Sequence, residues 1–92
     1  MKTFKDISWK QHRLGKGAIQ GLLMLDNGIE LSVVAGKGFY STPRKNLGTP
    51  DAFSSFEVAV FDQDGNFIGA DNDLVLGWQS RNDIDKLIQI HS

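Results

Sequence analysis

Two segments of this chain carry one design, in which an apolar run meets a Gly-containing turn with Asp or Asn before it and is followed by a second apolar run. They are residues 19–35, around Asp26-Asn27-Gly28, and residues 56–68, around Asp64-Gly65. Glycine reaches positive φ without a Cβ clash, and Asp or Asn side chains bond back to their own turn, so each segment predicts a β-hairpin. Two hairpins commit most of the chain to an antiparallel sheet. The 92 residues leave room for one domain, residues 1–92, near the size at which a single core begins to hold without staples. Cysteine is absent, which excludes disulfides, thiolate metal sites and cysteine nucleophiles together.

Alternation assigns the faces. In residues 18–25, Ile19, Gly21, Leu23 and Leu25 share one side while Ala18, Gln20, Leu22 and Met24 share the other, so both sides are largely apolar and the strand belongs inside the sheet. Residues 29–35 set Ile29, Leu31, Val33 and Ala35 against Glu30, Ser32 and Val34, a half-buried pattern. Residues 7–12 predict an edge strand, and residues 71–79 a turn plus a short strand. Ser80, with Asp83 three positions on, reads as an N-cap with a capping box, which opens a helix over 81–90 with Ile84, Leu87, Ile88 and His91 as its inner stripe. The expected fold class is α+β, a small antiparallel β-sheet of two β-hairpins and four or five strands with one C-terminal α-helix packed on a face. One helix leaves a sheet face uncovered, so a homodimer or higher oligomer is expected.

Charge is distributed unevenly. Residues 1–50 hold eight Lys and Arg against three acids, and residues 51–92 hold two against eight, for a net charge of −1. The two halves must share one sheet, so mutual neutralisation across it is one expectation, and a basic face for anions or complementary faces that stack subunits is the other. A near-neutral total argues against general duplex DNA binding. The opening MKTFKDISWKQHR has charges every few positions and no apolar run fit for a signal peptide or membrane span. A soluble protein of the cytoplasm is therefore expected, with no membrane partner.

Most polar residues are accounted for by structure. Asp62, Asp64 and Asn66 resemble the start of a calcium loop, but such a loop needs glycine sixth and a bidentate Glu twelfth, whereas Gly65 stands fourth. A hairpin turn explains them better. His12 and His91 are the only histidines and have no neighbours suggesting a nucleophile relay or a metal site. No catalytic residue, metal or cofactor is expected. Trp9 and Trp78 are expected to supply core area or to sit at its edge.

The segment 36–52 differs from the rest. It holds three of the ten glycines and both prolines, and a loop of that length without an element of its own is usually functional or disordered. Within it Lys37, Arg44 and Lys45 flank Phe39, Tyr40, Ser41 and Thr42. Cationic groups hold phosphate, hydroxyls add hydrogen bonds, aromatic rings stack on bases, and glycines let backbone N–H groups approach an anion. These seven residues form the candidate binding site, although their spacing matches no known phosphate-loop motif. A solvent loop or a subunit interface is the competing reading.

A longer pattern spans most of the chain: Trp9 and His12, Asp26-Asn27-Gly28, Leu31-Ser32-Val33-Val34, Gly36, Tyr40, Phe56-Glu57-Val58-Ala59-Val60, Asp64-Gly65, and Asp73-Leu74-Val75-Leu76-Gly77-Trp78 before a short acidic helix. It resembles a group of small bacteriophage and prophage proteins. The resemblance implies a non-structural accessory protein in the host cell cytoplasm, without an established activity to transfer. A non-enzymatic protein of the counter-defence or host-takeover type is thus expected, which inhibits a host protein or captures a small anionic ligand such as a nucleotide. The alternative is an assembly protein that builds a homo-oligomer.

Overall fold

The computed structural model describes residues 2–13, 16–68 and 75–92. Five strands, β1 (Ser8–Gln11), β2 (Ile19–Met24), β3 (Glu30–Ala35), β4 (Phe56–Phe61) and β5 (Leu76–Gln79), form one antiparallel sheet in sequence order. A single helix follows, α1 (Arg81–His91). The α+β class and the sheet-plus-helix architecture are those expected from the hairpin and capping signals.

Both turns are built alike. Leu25 N–H donates to Ile29 O at 2.7 Å and Gly28 N–H to Leu25 O at 3.0 Å, with Gly28 at φ +87°. Asp62 N–H donates to Asn66 O at 2.8 Å and Gly65 N–H to Asp62 O at 3.0 Å, with Gly65 at φ +83°. This is the three-residue hairpin loop, whose last position requires the left-handed region that glycine adopts at no steric cost. Asp62 Oδ1 accepts from Asp64 N–H and Asn66 N–H, each at 2.9 Å. That carboxylate is occupied inside its own turn.

The second hairpin closes differently from the first. Among the described residues its return arm bridges β4 at Phe67, opposite Phe61, with Ile68 N–H donating to Val60 O. Farther along the same side of β4 the pairing is taken over by β5, whose Gln79 faces Phe56 and whose Leu76 faces Val58. Residues 71–74 of the expected turn lie outside the described residues. Two steps on β4 are matched by three on β5, so β5 carries one extra residue, a β-bulge at Gly77 and Trp78.

One face of the sheet carries the core. Ile19, Leu23, Leu31, Val33, Ala35, Phe56, Val58 and Val60 are buried there with Ile7, Leu25 and Phe53, and α1 closes the layer with Ile84 and Ile88, both fully buried. Leu87 and His91, expected in the same stripe, are partly buried at its rim. Gly21 sits under Ile7 and Trp9, where an added Cβ would lie 2.3 Å from Ile7 Cγ2. A full side chain does not fit.

The helix is fastened at its first turn. Ser80 Oγ accepts from Asp83 N–H at 3.1 Å, and the Asp83 carboxylate accepts from Ser80 N–H at 3.0 Å, completing the capping box. The Asp83 carboxyl is held below its usual range, first by the backbone N–H of Ser80 and then by the Ser80 hydroxyl. Next to it Arg81 donates from Nη1 to Phe53 O and from Nη2 to Pro50 O, both at 2.8 Å. Its guanidinium lies 5.2 Å from the Phe4 ring centroid and 5.3 Å from that of Phe56. Arg81 therefore ties the helix start to the 3-10 turn Pro50–Ala52 and to the aromatic side of the core.

Candidate functional site

Antiparallel meandering places the end of β1, the start of β2, the end of β3, the start of β4 and the end of β5 at one end of the sheet. The segment 36–48 lies there, and backbone bonds hold it against both the β1–β2 turn and β5. Gly48 N–H donates to Gly17 O at 2.8 Å on the first side, and Trp78 N–H donates to Tyr40 O at 2.9 Å on the second. Gly17, at φ +88°, comes so close to the loop that an added Cβ would lie 2.8 Å from Asn46 O. Lys37 N–H donates to Asn46 Oδ1 at 2.8 Å, closing the loop on itself.

The candidate residues divide by exposure. Ser41 is only 1% exposed, and its hydroxyl accepts from Gly36 N–H while lying within bonding distance of Gly36 O and Pro43 O. It shapes the loop and presents no hydroxyl to a ligand. Thr42 bridges Ser55 through the backbone and accepts from Ser55 Oγ at 2.8 Å, which sets it against the start of β4. Phe39 is half-buried and meets the His12 ring edge-on at 4.9 Å. Lys37, Tyr40, Thr42, Arg44 and Lys45 are exposed.

The structure joins Tyr40 to a residue that the sequence had assigned to the core or its edge. Trp78 is 56% exposed on the outermost strand, and its ring centroid lies 5.0 Å from that of Tyr40, itself 45% exposed. The Arg44 guanidinium lies 5.4 Å from the Tyr40 centroid, and its Nε donates to Phe39 O at 3.1 Å. The result is a surface group of two aromatic rings and a cation. Trp9 behaves as expected, partly buried against the core beside Phe4 and Phe56.

The bulge explains how Trp78 gets there. Trp78 has φ +52°, a left-handed conformation that costs an aromatic residue roughly 1–2 kcal/mol. Gly77 beside it lies flat against Tyr40, where an added Cβ would sit 2.9 Å from Tyr40 Cβ. Glu57, on the strand facing the bulge, accepts from Tyr40 N–H at 3.2 Å. Backbone strain of this kind persists only where surrounding contacts hold it, and it gathers at functional sites. An isolated glycine in a short apolar strand was the one sequence signal for the bulge.

Close ion pairing is sparse. Among the described residues the one ion pair is Lys2 with Asp26, at 3.7 Å and exposed. Arg13, Lys16, Lys37, Arg44 and Lys45 lie at the loop end of the sheet together with Glu57 and Asp51, while Asp26, Glu30, Asp62 and Asp64 lie at the opposite end with Lys2. There a depression of about 320 Å³ is lined by Met24, Glu30, Phe61 and Asp62. The excess of each sign follows the strand axis: five cations against two acids at the loop end, four acids against Lys2 at the other.

Among the described residues no three His, Cys, Asp or Glu side chains are grouped to hold a metal ion, and no helix is long and apolar enough to cross a membrane. Comparison of the chain with protein-family models, with curated proteins and with solved structures finds no match.

Proposed function

We propose that this chain is a non-enzymatic binding protein, a phage-type accessory factor of the host cytoplasm that works by occupying a host protein or a small anionic ligand. Its recognition surface is the 36–48 loop extended by Trp78. The observation that carries this reading is the group of Tyr40, Trp78 and Arg44, in which large exposed rings are held by a strained bulge instead of being turned inward. Trp, Tyr and Arg are the residue types that dominate binding energy at recognition surfaces. The Asp62 and Asp83 carboxylates, engaged in a turn and a cap, also favour binding over acid–base chemistry.

Affinity capture from host lysate, wild type against the Arg44→Ala/Lys45→Ala/Trp78→Ala variant, tests it. A component enriched by wild type and absent with a variant that still folds is the expected result. Equal capture by both moves the recognition surface elsewhere.

A second reading, self-association, is favoured by the face opposite α1. Leu22, Met24 and Phe61 lie on that face with Phe67 at its corner, and Met24 and Phe67 are exposed. One row across it runs Lys10, Gln20, Val34, Glu57. At the far end of that row Val34 is buried and Glu57 already accepts from Tyr40 N–H, so two copies packed face to face about a twofold axis meet through Leu22, Met24 and Phe67. Sedimentation at micromolar concentration should show a dimer, and a clean 10.2 kDa species counts directly against it.

A further inference from the structure

We propose that the loop end of the sheet binds single-stranded nucleic acid, with an unpaired base stacked on the Trp78–Tyr40 pair and the phosphate chain carried across the loop toward the β1–β2 turn. The proposal rests on the reading of this loop as the recognition surface and extends its anionic ligand from a small molecule to a polymer.

Three observations converge on that class. First, the segment that carries the cations runs across the end of the sheet. The loop is bonded to Gly17 at one side and to Trp78 at the other, so Lys16, Lys37, Arg44 and Lys45 lie along one end of a five-stranded sheet. Four inter-strand spacings make that end about 19 Å wide. A single phosphate would need only a fraction of that width, whereas a chain of phosphates can follow it. Second, none of Arg13, Lys16, Lys37, Arg44 or Lys45 enters an ion pair among the described residues. Third, the same end carries two exposed rings 5.0 Å apart, and ring faces accept any base without a hydrogen-bond code. A cationic track for the backbone combined with rings on which bases stack is the recurring arrangement for unpaired strands.

The same features disfavour a duplex. A base held inside a duplex offers no face to Trp78, whereas an unpaired base does.

The test is titration of the protein with a fluorescent oligothymidylate of about ten nucleotides, followed by anisotropy at several salt concentrations. Thymidine monophosphate and a duplex of equal length serve as competitors. Saturable binding that outcompetes both, with quenching of tryptophan emission, is expected. Trp78→Leu should weaken it about tenfold or more. The exposed pair Lys37→Gln/Lys45→Gln, which leaves the strained bulge untouched, should lower the steepness of log K against log salt by about 0.7 for each phosphate that is no longer neutralised. Absence of saturable binding by wild type overturns the proposal, as does a duplex bound equally well. A mononucleotide as tight as the oligomer assigns the rings to free nucleotide and overturns the strand. If the loop captures a host protein and ignores the oligonucleotide, this proposal falls while the binding role stands.

Discussion

Replacing Arg81 with methionine removes a charged fork while keeping a side chain of similar reach, and so isolates what the guanidinium does at the start of α1. Arg81 makes two bonds at 2.8 Å, to Phe53 O and Pro50 O. A hydrogen bond with one charged partner contributes about 1.5–3 kcal/mol net, and because Arg81 is only partly buried the low end applies to each. Pro50 O keeps a second donor in Phe53 N–H at 3.1 Å, which softens its loss. The ring contacts with Phe4 and Phe56 are replaced in part by the methionine thioether. The expected loss is about 2–3 kcal/mol, equivalent to a fall in melting temperature of roughly 8–24 °C for a domain of this size. Arg81→Lys, which keeps the charge but can reach only one carbonyl at a time, should lose about half as much. Urea denaturation followed by far-ultraviolet circular dichroism measures both. If Arg81→Met stays within about 0.5 kcal/mol of wild type, the helix is not fastened through Arg81 and the reasoning fails.

Ile88→Ala should cost about 2–5 kcal/mol because Ile88 is fully buried, whereas Leu87→Ala, at the rim, should cost clearly less; equal losses in denaturant midpoint would mean that α1 docks on a different stripe. Gly21→Ala drives a methyl group into Ile7 and should destabilise by about 1–3 kcal/mol, so a melting temperature equal to wild type would show that β1 can move aside. The Asp83 carboxyl titrates below its unfolded value, so its contribution is fully present above the ordinary aspartate range and is lost as pH falls through the depressed value. Asp83→Asn should therefore be less stable than wild type at neutral pH, with the gap narrowing in acid; a gap that is constant with pH in thermal melts would contradict the capping box as its source.

What the sequence made legible was local. Both glycine turns, the alternation of β2 through β4 and the Ser80–Asp83 cap each rest on residues a few positions apart, where turn chemistry and periodicity act directly. The charge count was legible too, but its layout was not, because strand direction, not chain half, decides which end a side chain occupies. Trp78 was misplaced for a related reason. Its short strand reads as apolar filler until the extra residue opposite Glu57 is seen, and that count depends on the register with β4. Ser41 shows the converse: among neighbouring hydroxyls and cations it reads as a ligand contact, yet backbone groups of its own loop take up its hydroxyl. Arg81 has no signal at all, since both its acceptors belong to a distant segment.

The bulge also bears on how the chain behaves in a crowd. The outer border of a sheet is a row of unpaired amides and carbonyls, a template on which another chain can lay a strand and begin to aggregate. At β5 the extra residue breaks the even spacing that such docking requires, and the Trp78 N–H is already taken by Tyr40 O. The other border, β1, is only four residues long and carries Lys10. A visiting molecule is left with side chains to grip rather than backbone, so deleting one residue from the Gly77-Trp78 pair would do more than remove a ring. It would straighten the border and convert a selective surface into an adhesive one.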